Sequence, residues 1–197
     1  MSDARSDSQS DSQSDSQSDS QSDSQRFPIG KFQRSDSYSA ADRAASIARL
    51  AALPAALAAA LGGCSDAQVD TPYREDGWTV RQLVHHVADS HANALIRLKL
   101  ALTEDNPTIK PYDQDAWARL ADVRAVSPLV SVAMTAAIHE RMTAVLRAMS
   151  ADDFGRGLLH PENGRMTIDQ LLALYAWHGD HHVAHIRGVR SLTAVPR

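Results

Sequence analysis

The amino-acid sequence predicts an all-α fold: a four-helix bundle with one additional short helix in a long loop and a disordered N-terminal tail. Four segments carry apolar residues at helical spacing, and each has a recognisable start or stop signal. No segment alternates apolar and polar residues over a useful strand length. Four long helices joined by loops bury their apolar faces most economically in a four-helix bundle.

The predicted tail is defined by a repeat. Residues 6–25 are five consecutive copies of Ser-Asp-Ser-Gln and contain no apolar residue. A segment that cannot bury apolar surface does not offset the entropy cost of ordering its chain. We therefore expect residues 1–26 to be disordered, with little role beyond solubility, and residues 27–197 to form a single helical-bundle domain.

The first and third long helices are indicated by signals at their ends. Gly62-Gly63 predicts the end of a helix over residues 40–61, and Pro54 inside that helix predicts a kink or a break. Ser127-Pro128 places an N-cap residue before a proline at the first helical position, which predicts a helix over residues 128–149.

The second and fourth long helices both begin at the pattern Thr-x-x-Gln. In this capping box each of the two side chains satisfies the other's unpaired backbone donor. The two boxes lie at Thr79–Gln82 and Thr167–Gln170, and they open helices over residues 79–103 and 167–189.

The loop over residues 111–123 is predicted to carry one short helix.

Charge and cysteine content exclude several classes of protein. Residues 1–26 contain six Asp and two Arg, which leaves 18 acidic and 18 basic residues in the rest of the chain. This balance offers no basic patch, so we expect no nucleic-acid partner. No run reaches the roughly 18–20 uninterrupted apolar residues of a membrane span, so we expect no membrane partner. Cys64 is the only cysteine, which favours the cytoplasm.

Two of the predicted helices carry a polar stripe that includes histidine. A solvated face is one interpretation of such a stripe. Because both helices are otherwise strongly apolar, the stripes are also hidden economically if they face each other inside the bundle, where such folds assemble metal sites. One stripe consists of His86, Asp89, Ser90, Asn93 and Arg97, and the other of His178, His181, His182 and His185.

His178 and His182 form the pattern His-x-x-x-His. The i, i+4 spacing places two imidazoles on successive turns of one helix face, close enough to reach one ion at about 2.0–2.1 Å. A third ligand from the second helix would complete a three-histidine set with one open position, which is typical of a catalytic rather than a structural zinc site.

Two segments resemble the DinB-like superfamily, specifically its YfiT-type branch of metal-dependent hydrolases. They are "GWTVRQLVHHVADSHANALIRLKLALTEDNPTIKPYDQDAW" (77–117) and "LYAWHGDHHVAHI" (174–186), and "FPIGKF" (27–32) and residues 68–82 are similar to that branch too. The resemblance covers about 27–190. It implies a homodimer of helical bundles in the cytoplasm, with one divalent metal per subunit, zinc or sometimes nickel.

The resemblance also implies the ligands. They are the second histidine of the His-His pair on the second helix and both histidines of His-x-x-x-His, here His86, His178 and His182. Among the other histidines, His85 is interpreted as a residue behind the ligands or on a dimer surface. His181 and His185 either orient the ligands through carboxylates or lie at the pocket rim. No spacing pattern involves His91, His139 or His160, so we expect structural roles for these three.

Zinc held by three imidazoles lowers the pKa of bound water towards about 7, which suits hydrolysis of a small molecule. Gly179 stands where a His-Glu-x-x-His protease has its glutamate, so that class is disfavoured. Asp89 is the candidate base, or else a partner of a ligand histidine or of Arg97. Asn93 and Arg97 are the candidate substrate-binding residues, the latter for an anionic group.

Tyr112 and Trp117 either roof the pocket or pack in the core.

Two alternatives to hydrolysis remain open at this point. Zinc stabilises a thiolate as well as a hydroxide, and the broader superfamily resembles transferases of low-molecular-weight thiols. A non-catalytic metal-binding bundle is the other alternative. It predicts a site sealed by side chains, whereas both kinds of enzyme need a cavity at the metal.

Overall fold

The structure is a computed structural model that describes residues 23–162 and 164–192. Most of the predicted tail, residues 1–22, therefore lies outside the described residues, and its disorder stays a prediction. Residues 23–26 form one helical turn, so the described, folded part of the chain begins before the predicted boundary at residue 27.

After this turn, the described residues contain seven further α-helices and one β-hairpin. Four of the helices are long, with bounds close to those predicted, and the predicted four-helix bundle is confirmed. The elements are α1 (Ala40–Leu61), α2 (Asp66–Val69), α3 (Val80–Thr103), α4 (Gln114–Trp117), α5 (Ala121–Ala125), α6 (Pro128–Ala148), a 3-10 turn (Asp153–Gly155), β1 (Gly157–His160), β2 (Gly164–Thr167) and α7 (Ile168–Leu192).

The helix starts follow the predicted caps. The Thr79 side chain accepts from the N–H of Gln82, and the Gln82 side chain accepts from the N–H of Thr79. Thr167 and Gln170 repeat this exchange at the start of α7, and Ser127 caps α6. These contacts involve residues three apart or fewer in the chain, which is why a local pattern predicts them.

Helix α1 continues through Pro54. Of the two predicted effects of this proline, the break is therefore wrong, and the kink stays a prediction. Proline has no N–H to give to the carbonyl oxygen of Leu50, four residues earlier, which removes one helix hydrogen bond. That oxygen instead accepts a hydrogen bond from Nδ1 of His139 on α6. The buried side chains of Leu53 and Leu57 on either side of the proline hold the helix in the core.

The four long helices pack in the cyclic order α1, α6, α3, α7, since the main contacts are between these successive pairs. Two pairs that follow each other along the chain, α1 with α3 and α6 with α7, therefore lie across the bundle from one another. Among long helices that follow each other along the chain, only α3 and α6 are packed neighbours. The segments between α1 and α3 and between α6 and α7 contain short elements, and these segments carry the chain across the bundle.

The connections hold more regular structure than predicted. Two short helices, α4 and α5, replace the single one expected in residues 111–123, and α2 was not expected. The antiparallel hairpin of β1 and β2, with His160 opposite Gly164, was missed as well. Its signal was the Asn-Gly sequence over residues 163–164, and Gly164 adopts a φ of +70°.

The hairpin anchors the loop that follows α3. The N–H of Ile109 donates to the Leu159 carbonyl over 3.0 Å, and the N–H of Leu159 donates to the Pro107 carbonyl over 2.9 Å. The loop therefore runs along the edge of β1 before it reaches α4. This path brings Tyr112 and Gln114 to a cavity that they line together with His178 of α7.

Buried histidines separate two apolar clusters along the bundle axis. One cluster uses α3 from Ala94 onwards and α7 up to Ala176. The other uses α3 up to Val87 and α7 from Val183 onwards. The layer between them holds the buried His91 on α3 and the half-buried His178 with the buried His181 and His182 on α7. The buried His86 lies at its edge, next to Val87.

Helices α1 and α6 are long and apolar enough to cross a membrane, judged by length and composition alone. Core helices of a bundle share that property, because an apolar stripe is needed to bury them. Both helices pack against other long helices here.

Candidate metal centre

Three imidazole nitrogens converge between α3 and α7. Nε2 of His178 lies 3.1 Å from Nε2 of His86 and 3.2 Å from Nε2 of His182. The i, i+4 spacing stacks two of these rings on α7, and His86 faces them from α3. The structure thus brings together the three residues that the sequence predicts as ligands.

Burial keeps these three imidazoles neutral. It lowers the pKa of His86 to about 4. It also lowers the pKa of His178 and of His182 well below the ordinary value, and the neighbouring imidazoles add to the effect. Neutral imidazoles are the form in which histidine binds a metal.

The donor set fits a divalent metal. Three lone pairs that face one another at hydrogen-bond distance repel each other unless a cation or a proton lies between them. The three nitrogens lie within 4.8 Å of one another, and a nitrogen donor set of this kind suits zinc, nickel or a similar ion.

A glycine next to a candidate ligand sets the distance between helices. A Cβ at Gly179 would lie 2.5 Å from Cδ2 and 3.0 Å from Cδ1 of Leu53 on α1. Helix α1 therefore approaches α7 more closely than a larger side chain would permit. This contact gives a packing reason for glycine at the position where a His-Glu-x-x-His protease carries its base.

The converging histidines line a cavity of about 500 Å³. Its walls include the N-terminal segment at Phe27 and the start of α4. Trp78 Nε1 donates to Asp115 Oδ1 over 3.0 Å, and the Trp78 ring stands edge-on to His86 at 4.6 Å. The indole therefore links α4 to a candidate ligand and closes one side of the cavity.

A second group of histidines shares one member with the first. The ring nitrogens of His181, His182 and His185 also lie within 4.8 Å of one another. Only Nδ1 of His182 faces this group, at 3.4 Å from Nδ1 of His185, because Nε2 faces His178. His181 stacks on Trp177 at 4.5 Å. We therefore treat the first group as the candidate metal centre.

Both α7 candidate ligands contact a further histidine through Nδ1. Nδ1 of His178 lies 3.2 Å from Nε2 of His91, and Nδ1 of His91 lies 2.8 Å from Nε2 of His139. His139 in turn contacts the Leu50 carbonyl. On the other side, Nε2 of His185 lies 3.1 Å from the Gln25 carbonyl.

These contacts add to the roles predicted for the outer histidines, of which His181 and His185 also line the cavity, as the alternative at the pocket rim predicts. His185 contacts His182 directly and is fixed by main-chain carbonyls, not by a carboxylate. His91 and His139 are buried, with their pKa lowered by burial, and they connect to a candidate ligand as well as to the core. The one available sequence signal was Pro54, which frees the Leu50 carbonyl; only the fold shows which donor uses it.

A second cavity, of about 350 Å³, meets the first at His178 and Gln114, which line both. Arg97 lines this second cavity and donates to the hydroxyl of Tyr175 over 3.1 Å. Among the described residues no carboxylate lies within ion-pair distance of Arg97. Glu162 and Asp113 also line this cavity, but neither forms an ion pair with Arg97.

The two other predicted site residues are placed elsewhere. Asp89 and Asn93 line neither of these two cavities. The Asn93 side chain donates back to the Asp89 carbonyl on its own helix. Burial and the nearby charge of Asp122 raise the pKa of the Asp89 carboxyl to about 6. Their roles as base and substrate ligand stay predictions.

The loop aromatics and the two remaining histidines differ in position. Tyr112 lines the second cavity, where burial raises its pKa to about 12, and Trp117 packs on it at 4.4 Å while remaining partly exposed. His160 also lines the second cavity. His85 is buried and contacts the Ser131 hydroxyl at 2.7 Å, so it turns away from the candidate metal centre.

Comparison with known proteins identifies relatives along most of the chain. The model of the DinB superfamily matches residues 38–186. A Bacillus subtilis (strain 168) protein named "Putative metal-dependent hydrolase YfiT" is 45% identical over 161 residues, which cover 81% of this chain and 90% of that protein. An Oceanobacillus iheyensis protein named "Putative metal-dependent hydrolase OB0782" is 44% identical over 163 residues, covering 82% and 94%.

Solved structures agree with the fold. The structure of YfiT from Bacillus subtilis matches with a TM-score of 0.84 and 43% identity, over 86% of this chain and 97% of that one. It is described as "a probable metal-dependent hydrolase with an unusual four-helix bundle topology". TT2238, described as a four-helix bundle protein, matches with a TM-score of 0.50 and 21% identity, which supports the fold alone.

Proposed function

Because this chain belongs to the DinB superfamily and its relatives are named metal-dependent hydrolases, we propose that it hydrolyses a small molecule with the help of one divalent ion. His86, His178 and His182 hold that ion, and zinc is the metal expected of three neutral imidazoles with an open position. The convergence of their three Nε2 atoms is the observation that carries the proposal.

The cavity supports an enzyme over a sealed metal site. All three candidate ligands line a space of about 500 Å³, which leaves room for a substrate beside the ion. A purely structural site is normally closed by its four protein ligands. Here the described residues provide three such nitrogens and an adjoining cavity.

When bound, an ion of this kind acidifies a water molecule towards a pKa of about 7 and so supplies a nucleophile near neutral pH. The chain's own residues do the rest. Trp78 and Phe27 line the cavity and place apolar surface beside the ion. Arg97, in the adjoining cavity, binds an anionic group of the substrate and so orients the scissile bond towards His178.

The first test is metal content, measured by elemental mass spectrometry on untagged protein purified without added metal. About one divalent ion per chain is expected, and His86→Ala and His178→Ala should both lose it. His85→Ala is the matched control, because this neighbouring histidine contacts Ser131 and faces away from the site. A wild-type protein that is metal-free and takes up neither zinc nor nickel on titration would refute the proposal.

The second test is a substrate screen with zinc-loaded protein. Esters and amides with and without an anionic group are compared, and thiol–electrophile pairs are included. Loss of the Arg97 charge in Arg97→Met should raise KM for anionic substrates by roughly 10- to 100-fold, the range of a hydrogen bond to a charged group. Consumption of thiol without hydrolysis would replace the hydrolase with a thiol transferase.

We also expect a homodimer in the cytoplasm. Apolar side chains are exposed on the outer face of α6 at Leu129, Val130 and Met134. Exposed alanines of α1 extend that surface, because α1 packs beside α6. Sedimentation of the wild type and of Val130→Lys tests the dimer: the wild type should sediment as a dimer and the variant as a monomer.

A further inference from the structure

We propose that His91, His139 and His185 are positioning residues for the metal. Two hydrogen-bonded chains, each ending at a main-chain carbonyl, hold the protons of His178 and His182 on Nδ1 and leave both Nε2 atoms free as metal donors. This inference rests on the proposed function and extends it to residues that contact neither substrate nor metal.

The first chain starts from a carbonyl that its own helix does not use. Pro54 has no N–H for the oxygen of Leu50, and this oxygen accepts a hydrogen bond from Nδ1 of His139. A carbonyl oxygen only accepts, so the proton of His139 is on Nδ1. With that ring neutral, its Nε2 carries a lone pair and must accept from its neighbour.

The same logic passes along the chain to the candidate ligand. His91 donates from Nδ1 to Nε2 of His139 over 2.8 Å, which leaves Nε2 of His91 as an acceptor. His178 then donates from Nδ1 to that Nε2 over 3.2 Å. Because a neutral imidazole has one proton, Nε2 of His178 keeps its lone pair, and it is this atom that faces His86.

The second chain is shorter and follows the same rule. Nε2 of His185 lies 3.1 Å from the Gln25 carbonyl and 3.3 Å from the Arg26 carbonyl. Both oxygens lie at the end of the helical turn over residues 23–26, where helix carbonyls lack partners within the helix. His185 therefore donates from Nε2 and accepts on Nδ1 from His182, at 3.4 Å, and Nε2 of His182 is left free.

The acceptors in both chains are neutral imidazoles. Metal-binding histidines commonly donate instead to a carboxylate or a carbonyl, and a carboxylate raises the basicity of the ligand. A neutral acceptor fixes the ring without adding negative charge, so the bound ion keeps more of its own positive charge. The expected consequence is a site that acidifies water more strongly than one supported by carboxylates.

The direct test is the tautomer of each ring in the whole chain, read from long-range proton–nitrogen spectra of protein with ¹⁵N-labelled histidine. The proposal expects the proton on Nδ1 in His91 and His139 and on Nε2 in His185, with and without zinc. A proton on Nε2 of His91 or His139 would overturn the first chain. This measurement needs no substitution and no activity.

The second test is zinc affinity, measured by competition with a chromogenic chelator. His91→Leu removes the acceptor for His178 and should weaken zinc binding by roughly 10- to 100-fold, the usual effect of losing such a partner. His91→Gln offers a carbonyl oxygen near the position of the lost Nε2 and should recover most of the affinity. His185→Leu and His185→Asn form the same pair for the second chain, and His85→Leu is the control.

The outcomes separate the two proposals. If the wild type binds no zinc, the proposed function fails. If it binds zinc and His91→Leu and His185→Leu bind it as tightly, the metal site stands and the positioning chains are refuted. Should His91→Leu fail to fold by circular dichroism, the tautomers of the wild type and the His185 pair decide the question.

Discussion

The main-chain oxygen of Leu50 accepts a hydrogen bond from Nδ1 of His139, across the contact between α1 and α6. Pro54 makes this oxygen available, because it has no N–H to occupy it four residues later. A proline inside a helix thus provides the anchor for a chain of histidines that reaches the candidate metal centre.

Pro54→Ala supplies the missing N–H and makes it compete with His139 for the Leu50 oxygen. The helix should become more stable, because alanine is the better helix former, while zinc affinity should fall about fivefold, which corresponds to one ordinary hydrogen bond of ~1 kcal/mol. Thermal unfolding of zinc-free protein and chelator competition measure the two changes.

The control for that prediction is a double-mutant cycle. In a His91→Leu background the chain is already broken, so adding Pro54→Ala should not lower zinc affinity further. Equal losses in both backgrounds would mean that the proline affects zinc binding by another route.

Gly179→Ala should destabilise the protein by about 1–3 kcal/mol, the usual cost of overpacking a core. The added Cβ would meet the side chain of Leu53 on α1. Gly188→Ala is the matched control on the same helix, because nothing lies within 4 Å of its Cβ position; it should stabilise by about 0.5–1 kcal/mol. Urea unfolding measures both, and equal effects would contradict the packing argument.

The zinc-free protein should lose stability as pH falls below 6.5. The pKa of His91, His139, His178 and His182 is lowered by burial, so the unfolded chain binds more protons than the folded one in this range. Each such group contributes up to about 1.4 kcal/mol per pH unit. Above pH 6.5 the contribution is fully present.

Urea unfolding at pH 7.5, 6.5 and 5.5 measures this dependence. Carboxylates with a lowered pKa, such as those of Asp42 and Asp153, lose their contribution only at more acidic pH. Asp89, with its pKa raised to about 6, becomes protonated in the folded chain within this range and opposes the trend, so the measurement is made in the Asp89→Asn background. A free energy of unfolding that is constant between pH 7.5 and 5.5 would show that the histidines are accessible to protons in the folded state.

Asp89→Asn should stabilise the protein at pH 7.5 by about 1–2 kcal/mol, with allowance for solvent screening of a half-buried group. Burial and Asp122 raise the pKa of Asp89 to about 6, so its ionised form is the unfavourable one in the fold. The gain should shrink as pH falls from 6 and vanish below the ordinary pKa of 3.8.

Asp152→Asn, at an exposed position, is the control and should change stability by less than about 0.5 kcal/mol.

The Asp89→Asn variant also tests the predicted catalytic role of Asp89. Once a substrate is known, an unchanged kcat in Asp89→Asn would remove this residue as the base.

Local sequence determined the four long helices well, because their boundaries depend on contacts between residues a few positions apart. The capping pairs Thr79–Gln82 and Thr167–Gln170 formed as predicted. The resemblance in the two histidine segments indicated His86, His178 and His182, and the fold brings these rings together. The hairpin over 157–167 was missed although an Asn-Gly turn signal was present.

Tertiary structure alone decided which helices are neighbours, which cavity each polar residue lines and which atoms the outer histidines contact. Arg97 and Asp89 share one predicted stripe, yet only Arg97 lines one of the two cavities. His91 and His139 lie 48 positions apart in the chain and meet at 2.8 Å. Helical spacing specifies a direction around one axis, whereas such contacts depend on the packing of two or more helices against each other.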